Sequence, residues 1–303
     1  MTHPHRSIAA LLGSLTFALL CHLAIADEPK PATSAVRVIP DLLFASPGGV
    51  ELRLDLHLPV GVKNPPLVMF IHGGGWKQGS RKGCAFEWLV PHGYAVASIE
   101  YRMSHEAVFP AQIHDCKGAL RWLRAHQSDY GYDAGKVVVA GASAGGHLAA
   151  LMAASGGVDE LEGKTAGHPE QSSAVQGVVD YFGPADFILR SKSQPQITDQ
   201  PKGLVYQLLG GSVTGNKDLA RLASPVTHVG PGDPPILIIH GEMDRQVLPD
   251  QSQRLFNLWR ANGLDAQLHI EPGKGHGWKP PTGQEQEKVL AFLAKHLGQP
   301  KDQ

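Results

Sequence analysis

The chain has 303 residues, 42% of them hydrophobic, with 27 basic and 28 acidic side chains. That length accommodates one large α/β domain with a sizeable core. The balanced charge leaves no sign of a nucleic-acid footprint, a polybasic membrane patch or an acidic disordered tail, and neither a repeat nor a zinc-spaced cysteine pattern is present.

In chain order, Met1 to Arg6 is polar with one arginine, Ile8 to Ile25 is largely apolar, and Ala24-Ile25-Ala26 closes the stretch before Asp27-Glu28. A basic start, an apolar middle and a small-x-small end predict a secretory signal peptide over residues 1–26. A retained transmembrane anchor is the competing reading, because the apolar run approaches the roughly 18 residues an anchor needs; Gly13, Ser14, Thr16 and His22 weaken it. Bulky Leu20 before Cys21 argues against a lipoprotein site. Residues 27–34 read as a flexible lead-in, and a catalytic domain is expected over 35–298 with a short tail at 299–303. The protein is therefore expected to be exported, secreted or periplasmic, with no stable membrane insertion after cleavage. Cys84 and Cys116 would then be its only cysteines, free to form one disulfide or to remain two buried thiols.

Val36 to Leu43 and Val50 to Leu58 alternate apolar and polar residues around Ser46-Pro47-Gly48-Gly49, which predicts a β-hairpin. Leu67 to Ile71 is a continuous apolar run, as expected of a strand buried on both faces. It ends in His72-Gly73-Gly74-Gly75-Trp76, where three glycines let the backbone approach a ligand and turn its N–H groups inward. No Gly-Lys-Ser/Thr follows to make this a phosphate loop. Gly79-Ser80 is expected to open a helix through about His92. Tyr94 to Ile99 is the next buried strand. A helix is expected from Gln112 to His126, with Asp115 and Arg102 either pinning the glycine loop or lying on a solvated face.

Lys136 to Met152 is the central element. Val137-Val138-Val139 runs into Gly141-Ala142-Ser143-Ala144-Gly145, and a helix-forming run starts at once. Strand, tight turn and helix with a serine at the apex describe an exposed nucleophile held in a strained conformation, with an ordinary Gly-rich βα turn as the alternative. Val175 to Phe182 predicts another strand. From Asp186 to Ala223 the periodicity breaks up around Pro195, Pro201, Gly203 and Gly210-Gly211; a long irregular segment inside a compact domain is usually functional, and a cap is expected there. Strand Ile236 to Ile239, helix Gln251 to Asn262, strand Ala266 to Glu271 and helix Gln284 to Leu297 complete an α/β pattern with a mainly parallel sheet.

A serine hydroxyl needs a base, and the base usually needs a carboxylate to orient it. Of sixteen histidines, His276 stands out in the flexible loop Gly273-Lys274-Gly275-His276-Gly277. His240 and His72 end strands beside glycine turns and read as structural, and His147 lies too close to Ser143 along its helix. Asp244 sits just past a buried strand's C-terminal end, where ligands gather in open α/β sheets. Asp186 is the rival acid, and Glu242 a weaker one. The order Ser143, Asp244, His276 is the nucleophile-acid-histidine order of α/β-hydrolases.

HGGGW, YR followed by FPAQIHDCKGALRWLR, GASAGGHLAA, ASPVTHV, HGEMDRQV and GHGW together resemble an α/β-hydrolase of the esterase/lipase group. They are most similar to the family of bacterial feruloyl and acetylxylan esterases, related to the hormone-sensitive-lipase-like enzymes. The resemblance runs from about Val36 to Leu297. It implies an eight-stranded, mostly parallel sheet with helices on both faces, a cap near 186–223 and ester hydrolysis through an acyl-enzyme, with no metal or cofactor. It also implies Ser143 as nucleophile, Asp244 as acid and His276 as base, with oxyanion donors from the backbone N–H groups of Ala144, Gly74 and Gly75, Trp76 being able to substitute for one glycine. Trp76 and Trp278 are expected to line the acyl side of the pocket, core packing being the alternative for both. The expected partner is a small-molecule or carbohydrate-linked ester with a short or aromatic acyl group, rather than nucleic acid. An amide or peptide hydrolase with the same residues is the alternative, and a lipase or polyester hydrolase a further one.

Overall fold

Alternation along the central strands builds two cores back to back. The computed structural model describes Met1, residues 35–277 and residues 283–300; the expected signal peptide and lead-in, and Trp278, lie outside the described residues. The strands are β1 (Val36–Ala45), β2 (Leu52–Pro59), β3 (Pro66–Ile71), β4 (Ala95–Ile99), β5 (Asp133–Ala142), β6 (Gly177–Tyr181), β7 (Ile236–Gly241) and β8 (Ala266–Glu271). They form one eight-stranded sheet in the order β1-β2-β4-β3-β5-β6-β7-β8. The β1–β2 and β2–β4 pairs are antiparallel, and the other neighbours are parallel.

In β3, Leu67, Met69 and Ile71 face one core while Val68 and Phe70 face the other. The first face is covered by α1 (Ala111–Ala125), followed by the one-turn α2 (Gln127–Tyr130), and by α3 (Ala144–Ala154). The one-turn α4 (Asp159–Glu162) follows α3. The segment from Asp186 to Ala223, expected to be irregular, folds into four short helices: α5 (Phe187–Ser193), α6 (Pro195–Thr198), α7 (Leu204–Leu209) and α8 (Lys217–Leu222). Phe187, Val205 and Leu208 seat it on the first core, which α9 (Asp250–Ala261) completes through Leu255 and Trp259. The opposite face is covered by α10 (Gln284–Leu297), through Val289, Phe292 and Leu293, and by Phe86, Leu89 and Val90.

One expected helix does not form. Between Gly79 and His92 the structure holds turns and a 3-10 segment, Glu87–His92, containing Pro91. Arg81 is the physical reason: it is 5% exposed and pairs with Asp41, Asp55 and Glu100, tying the segment to β1, β2 and the end of β4. Three carboxylates around one buried guanidinium outweigh a weak helical preference. Cys84 and Cys116 are both free thiols rather than a bridged pair; Cys116 belongs to the first core, and Cys84 packs at the edge of the second.

Candidate active site

β5 delivers Ser143 to the carboxyl end of the sheet in a backbone conformation of φ 55°, ψ −115°. A side chain there costs about 1–3 kcal/mol, which the surrounding structure must impose. It does so from both sides: Ser143 N–H donates to Tyr181 O at 2.8 Å, and His147 N–H donates to Ser143 O at 2.9 Å. The flanking glycines are required by close approach. A Cβ on Gly145 would lie 2.0 Å from Ile71 O, and one on Gly141 would lie 2.3 Å from the Gly145 carbonyl carbon.

The histidine loop arrives from β8. It lies across the end of β7, where Met243 N–H donates to Lys274 O at 2.8 Å and Gly273 N–H to the Glu242 carboxylate at 3.0 Å. A Cβ on Gly241 would collide with Lys274 O at 2.5 Å. These contacts place His276 Nε2 2.9 Å from Ser143 Oγ, and His276 Nδ1 2.6 Å from Asp244 Oδ2. The partners assign the tautomer: Nδ1–H donates to the carboxylate, and Nε2 accepts from the hydroxyl. The Phe182 ring meets the imidazole edge-on, with centroids 4.7 Å apart.

Asp244 has no side-chain exposure. Its Oδ1 accepts from the N–H groups of Gln246 and Val247 at 2.8 and 3.0 Å. Burial by itself would raise its pKa; hydrogen bonds from His240, His276 and Val247 N–H outweigh that and hold it well below the usual carboxylate range. His240 is fully buried, with Nε2 2.9 Å from Val247 O and 3.3 Å from Asp244 Oδ2, and Nδ1 2.6 Å from Ser252 Oγ. The rival acids are engaged elsewhere. Asp186 caps α5 through Leu189 N–H at 2.8 Å and pairs with Arg254, and Glu242 anchors the histidine loop.

The glycine loop runs beside Ser143 with positive φ at Gly74 (110°), Gly75 (62°) and Trp76 (56°). Gly74 and Gly75 border a cavity of about 490 Å³ that also contacts Ser143, His276, Phe182, Leu204, Gln78 and Gln246. Ala144 opens α3, so its N–H belongs to the first turn, where donors have no partner within the helix. Arg102 grips Asp115 through Nε and Nη2 at 2.8 and 2.7 Å, and Ser104 N–H donates to Trp76 O at 2.7 Å. The pair thus pins the segment that braces the glycine loop.

Trp76 corrects an expectation. Its ring is 2% exposed and turned into the core, away from the cavity. Its Nε1–H donates to His147 Nδ1 at 3.2 Å, and His147 Nε2–H donates in turn to Ala223 O at 2.7 Å. Positive φ at Trp76 swings the side chain inward, where the Phe187 ring meets it edge-on at 5.8 Å. Phe182 of β6's end and Leu204 of α7 supply the apolar wall instead. A Cβ on Gly75 would come within 2.7 Å of Leu204 Cδ1, so the inserted helices reach over the glycine loop. Neither Phe182 nor Leu204 carried a local signal in the sequence.

A family model, BD-FAE, matches residues 54–258. The chain belongs to the BD-FAE family. Its sheet order, elbow and crossing helices are those of the α/β-hydrolase fold, shared with solved esterases. A truncated form of a carbohydrate esterase from gut microbiota superposes with a TM-score of 0.79 at 30% identity, covering 88% of this BD-FAE chain and 98% of that one. A bifunctional GH43-CE protein of Bacteroides eggerthii gives 0.78 at 32% identity, over 86% of this chain and 38% of the other. Among curated proteins, Esterase LipC of Mycobacterium tuberculosis is 32% identical over 242 residues, 78% of this chain and 59% of LipC. The BD-FAE chain spans 44–60% of the length of LipC and of two further mycobacterial esterases that it matches.

Proposed function

We propose that this chain is a serine carboxylic-ester hydrolase that works through an acyl-enzyme. The observation that carries the reading is the continuous hydrogen-bonded line from Ser143 Oγ through His276 to Asp244, at 2.9 and 2.6 Å, beside the cavity. In this reading Ser143 Oγ attacks the ester carbonyl while His276 Nε2 takes its proton, and Asp244 holds the imidazole and stabilises the imidazolium. The oxyanion rests on the N–H groups of Gly74, Gly75 and Ala144, each contributing about 3 kcal/mol of transition-state stabilisation. Collapse expels the alcohol, protonated by His276. The same imidazole then takes a proton from water, which attacks the acyl carbon and releases the acid, and Ser143 recovers its proton.

A short or aromatic acyl group suits a cavity of about 490 Å³ bounded by Phe182 and Leu204. The carbohydrate esterase likeness supports a sugar-linked ester as the natural substrate. The composition of residues 1–26 supports work outside the cytoplasm, and N-terminal sequencing of the exported protein beginning near Asp27 would agree with it.

The deciding experiment combines labelling with turnover. A fluorophosphonate is expected to add once to the wild-type protein, on Ser143, and not to Ser143→Ala, which should lose at least about three orders of magnitude in kcat. The substrate series runs from p-nitrophenyl acetate to palmitate with methyl ferulate, acetylated xylan and a peptide amide. Wild-type turnover by Ser143→Ala would refute the nucleophile, a maximum at palmitate would indicate a lipase, and faster amide cleavage would indicate an amidase.

A further inference from the structure

Asp244 Oδ1 is held by two successive peptide N–H groups, those of Gln246 and Val247. Each belongs to a peptide unit whose carbonyl end is also engaged, and in both cases the partner comes from the inserted helices. The unit ending in Gln246 N–H begins at Arg245 C=O, which accepts from Gln194 Nε2–H at 3.0 Å. The unit ending in Val247 N–H begins at Gln246 C=O, which accepts from Arg190 Nη2–H at 2.6 Å. Arg190 Nε–H in turn donates to Gln194 Oε1 at 3.0 Å, so the two side chains are locked to each other. Both are 4% exposed.

We infer that Arg190 and Gln194 are positioning residues for the acid: they orient and polarise the two peptides that hold Asp244, and so set how strongly Asp244 stabilises a protonated His276. A donor at a peptide carbonyl draws electron density away from the N–H at its other end, and hydrogen bonds in such a line strengthen one another. The guanidinium adds a fixed positive charge behind the carboxylate without contacting it. Burial lowers the Arg190 pKa to about 10, with Asp244 and Asp250 opposing the shift, so it remains charged at neutral pH. Among the described residues, further ionisable groups near the pair include His240 against Asp244, His147 within the field of Arg190, and the Asp186–Arg254 ion pair at the start of α5.

The sign follows. Removing the cation and relaxing the two N–H donors leaves more negative charge on Asp244, which favours the imidazolium. His276 should then hold its proton to higher pH. The inference rests on the hydrolase reading above, so the test reads His276 directly. His276 is titrated by NMR in the wild type, Arg190→Met, Arg190→Lys and Gln194→Met, with thermal unfolding and kcat/KM against pH measured in parallel. Arg190→Met should raise the His276 midpoint by about half a unit to one unit. Because the two peptides would no longer hold the carboxylate and imidazole in one orientation, the same change should lower kcat, more than it alters KM, by roughly tenfold despite the favoured imidazolium. Arg190→Lys should return the midpoint to the wild-type value, and Gln194→Met should shift it upward by less than Arg190→Met. A wild-type midpoint in folded Arg190→Met would overturn the inference; if that variant does not fold, an unshifted Gln194→Met overturns it. An inactive wild type would sink the hydrolase reading, whereas the NMR titration would still decide this one.

Discussion

The buried, neutral His147 should make the chain lose stability in mild acid. The ring is completely buried on α3, and its two nitrogens are committed, one accepting from Trp76 and the other donating to Ala223 O. Burial, assisted by the charge of Arg190 and opposed by the Ala223 carbonyl, lowers its pKa from 6.5 to about 4. The folded value lies below the unfolded one, so as pH falls the unfolded chain takes up the proton first. The neutral ring's contribution is complete above pH 6.5 and disappears as pH falls towards 4. Over that interval the loss is about 3 kcal/mol, and about 2 kcal/mol of it is reached by pH 5. His147→Gln removes the titration while keeping an acceptor for Trp76 and a donor for Ala223. Urea unfolding of both proteins at pH 7, 6, 5 and 4.5 provides the assay. The wild type should be the more stable at pH 7, by about 1–2 kcal/mol from ring packing against Trp76 and Phe187. That advantage should vanish or reverse by pH 5. Parallel stability curves for the two proteins would refute the reasoning.

Other expected outcomes test the rest of the site. Asp244→Asn should cost about 10⁴ in kcat while Asp186→Asn costs far less, because only Asp244 contacts His276; the reverse ranking in steady-state kinetics would move the acid to Asp186. Gly145→Ala should destabilise by about 3 kcal/mol or more, since its Cβ would meet Ile71 O at 2.0 Å, and a urea midpoint equal to the wild type would show that the elbow relaxes. Burial pushes the Cys84 thiol up to about 12 and Cys116 well above its ordinary range. Iodoacetamide at pH 8 should therefore modify neither in the native protein and both after unfolding, and a mass two protons lighter without reductant would reveal a bridge instead.

Much of the architecture follows from local sequence because local physics produces it. The apolar run Leu67 to Ile71 is a strand buried on both faces, and Gly141 to Gly145 is a turn that only small residues allow; both are decided within a few residues. Ser143, Asp244 and His276 could be singled out in the same way, each by its place at a strand end or in a glycine loop. Their contact could not: 133 residues separate Ser143 from His276, and only the closing of β7 and β8 beside β6 brings them to hydrogen-bonding distance. Where a residue's partner is remote, the sequence misled or was silent. Trp76 adjoins the glycine loop and so reads as a pocket wall, but positive φ turns it towards His147, 71 residues away. The expected helix after Gly79 gives way because Arg81 reaches carboxylates on three other segments. Proline and glycine between Asp186 and Ala223 conceal four one- or two-turn helices, whose stability comes from seating Phe187, Val205 and Leu208 on the core rather than from their own propensity. Arg190 and Gln194 carry no motif at all. Their role depends on which peptide carbonyls lie opposite, and long-range packing alone decides that.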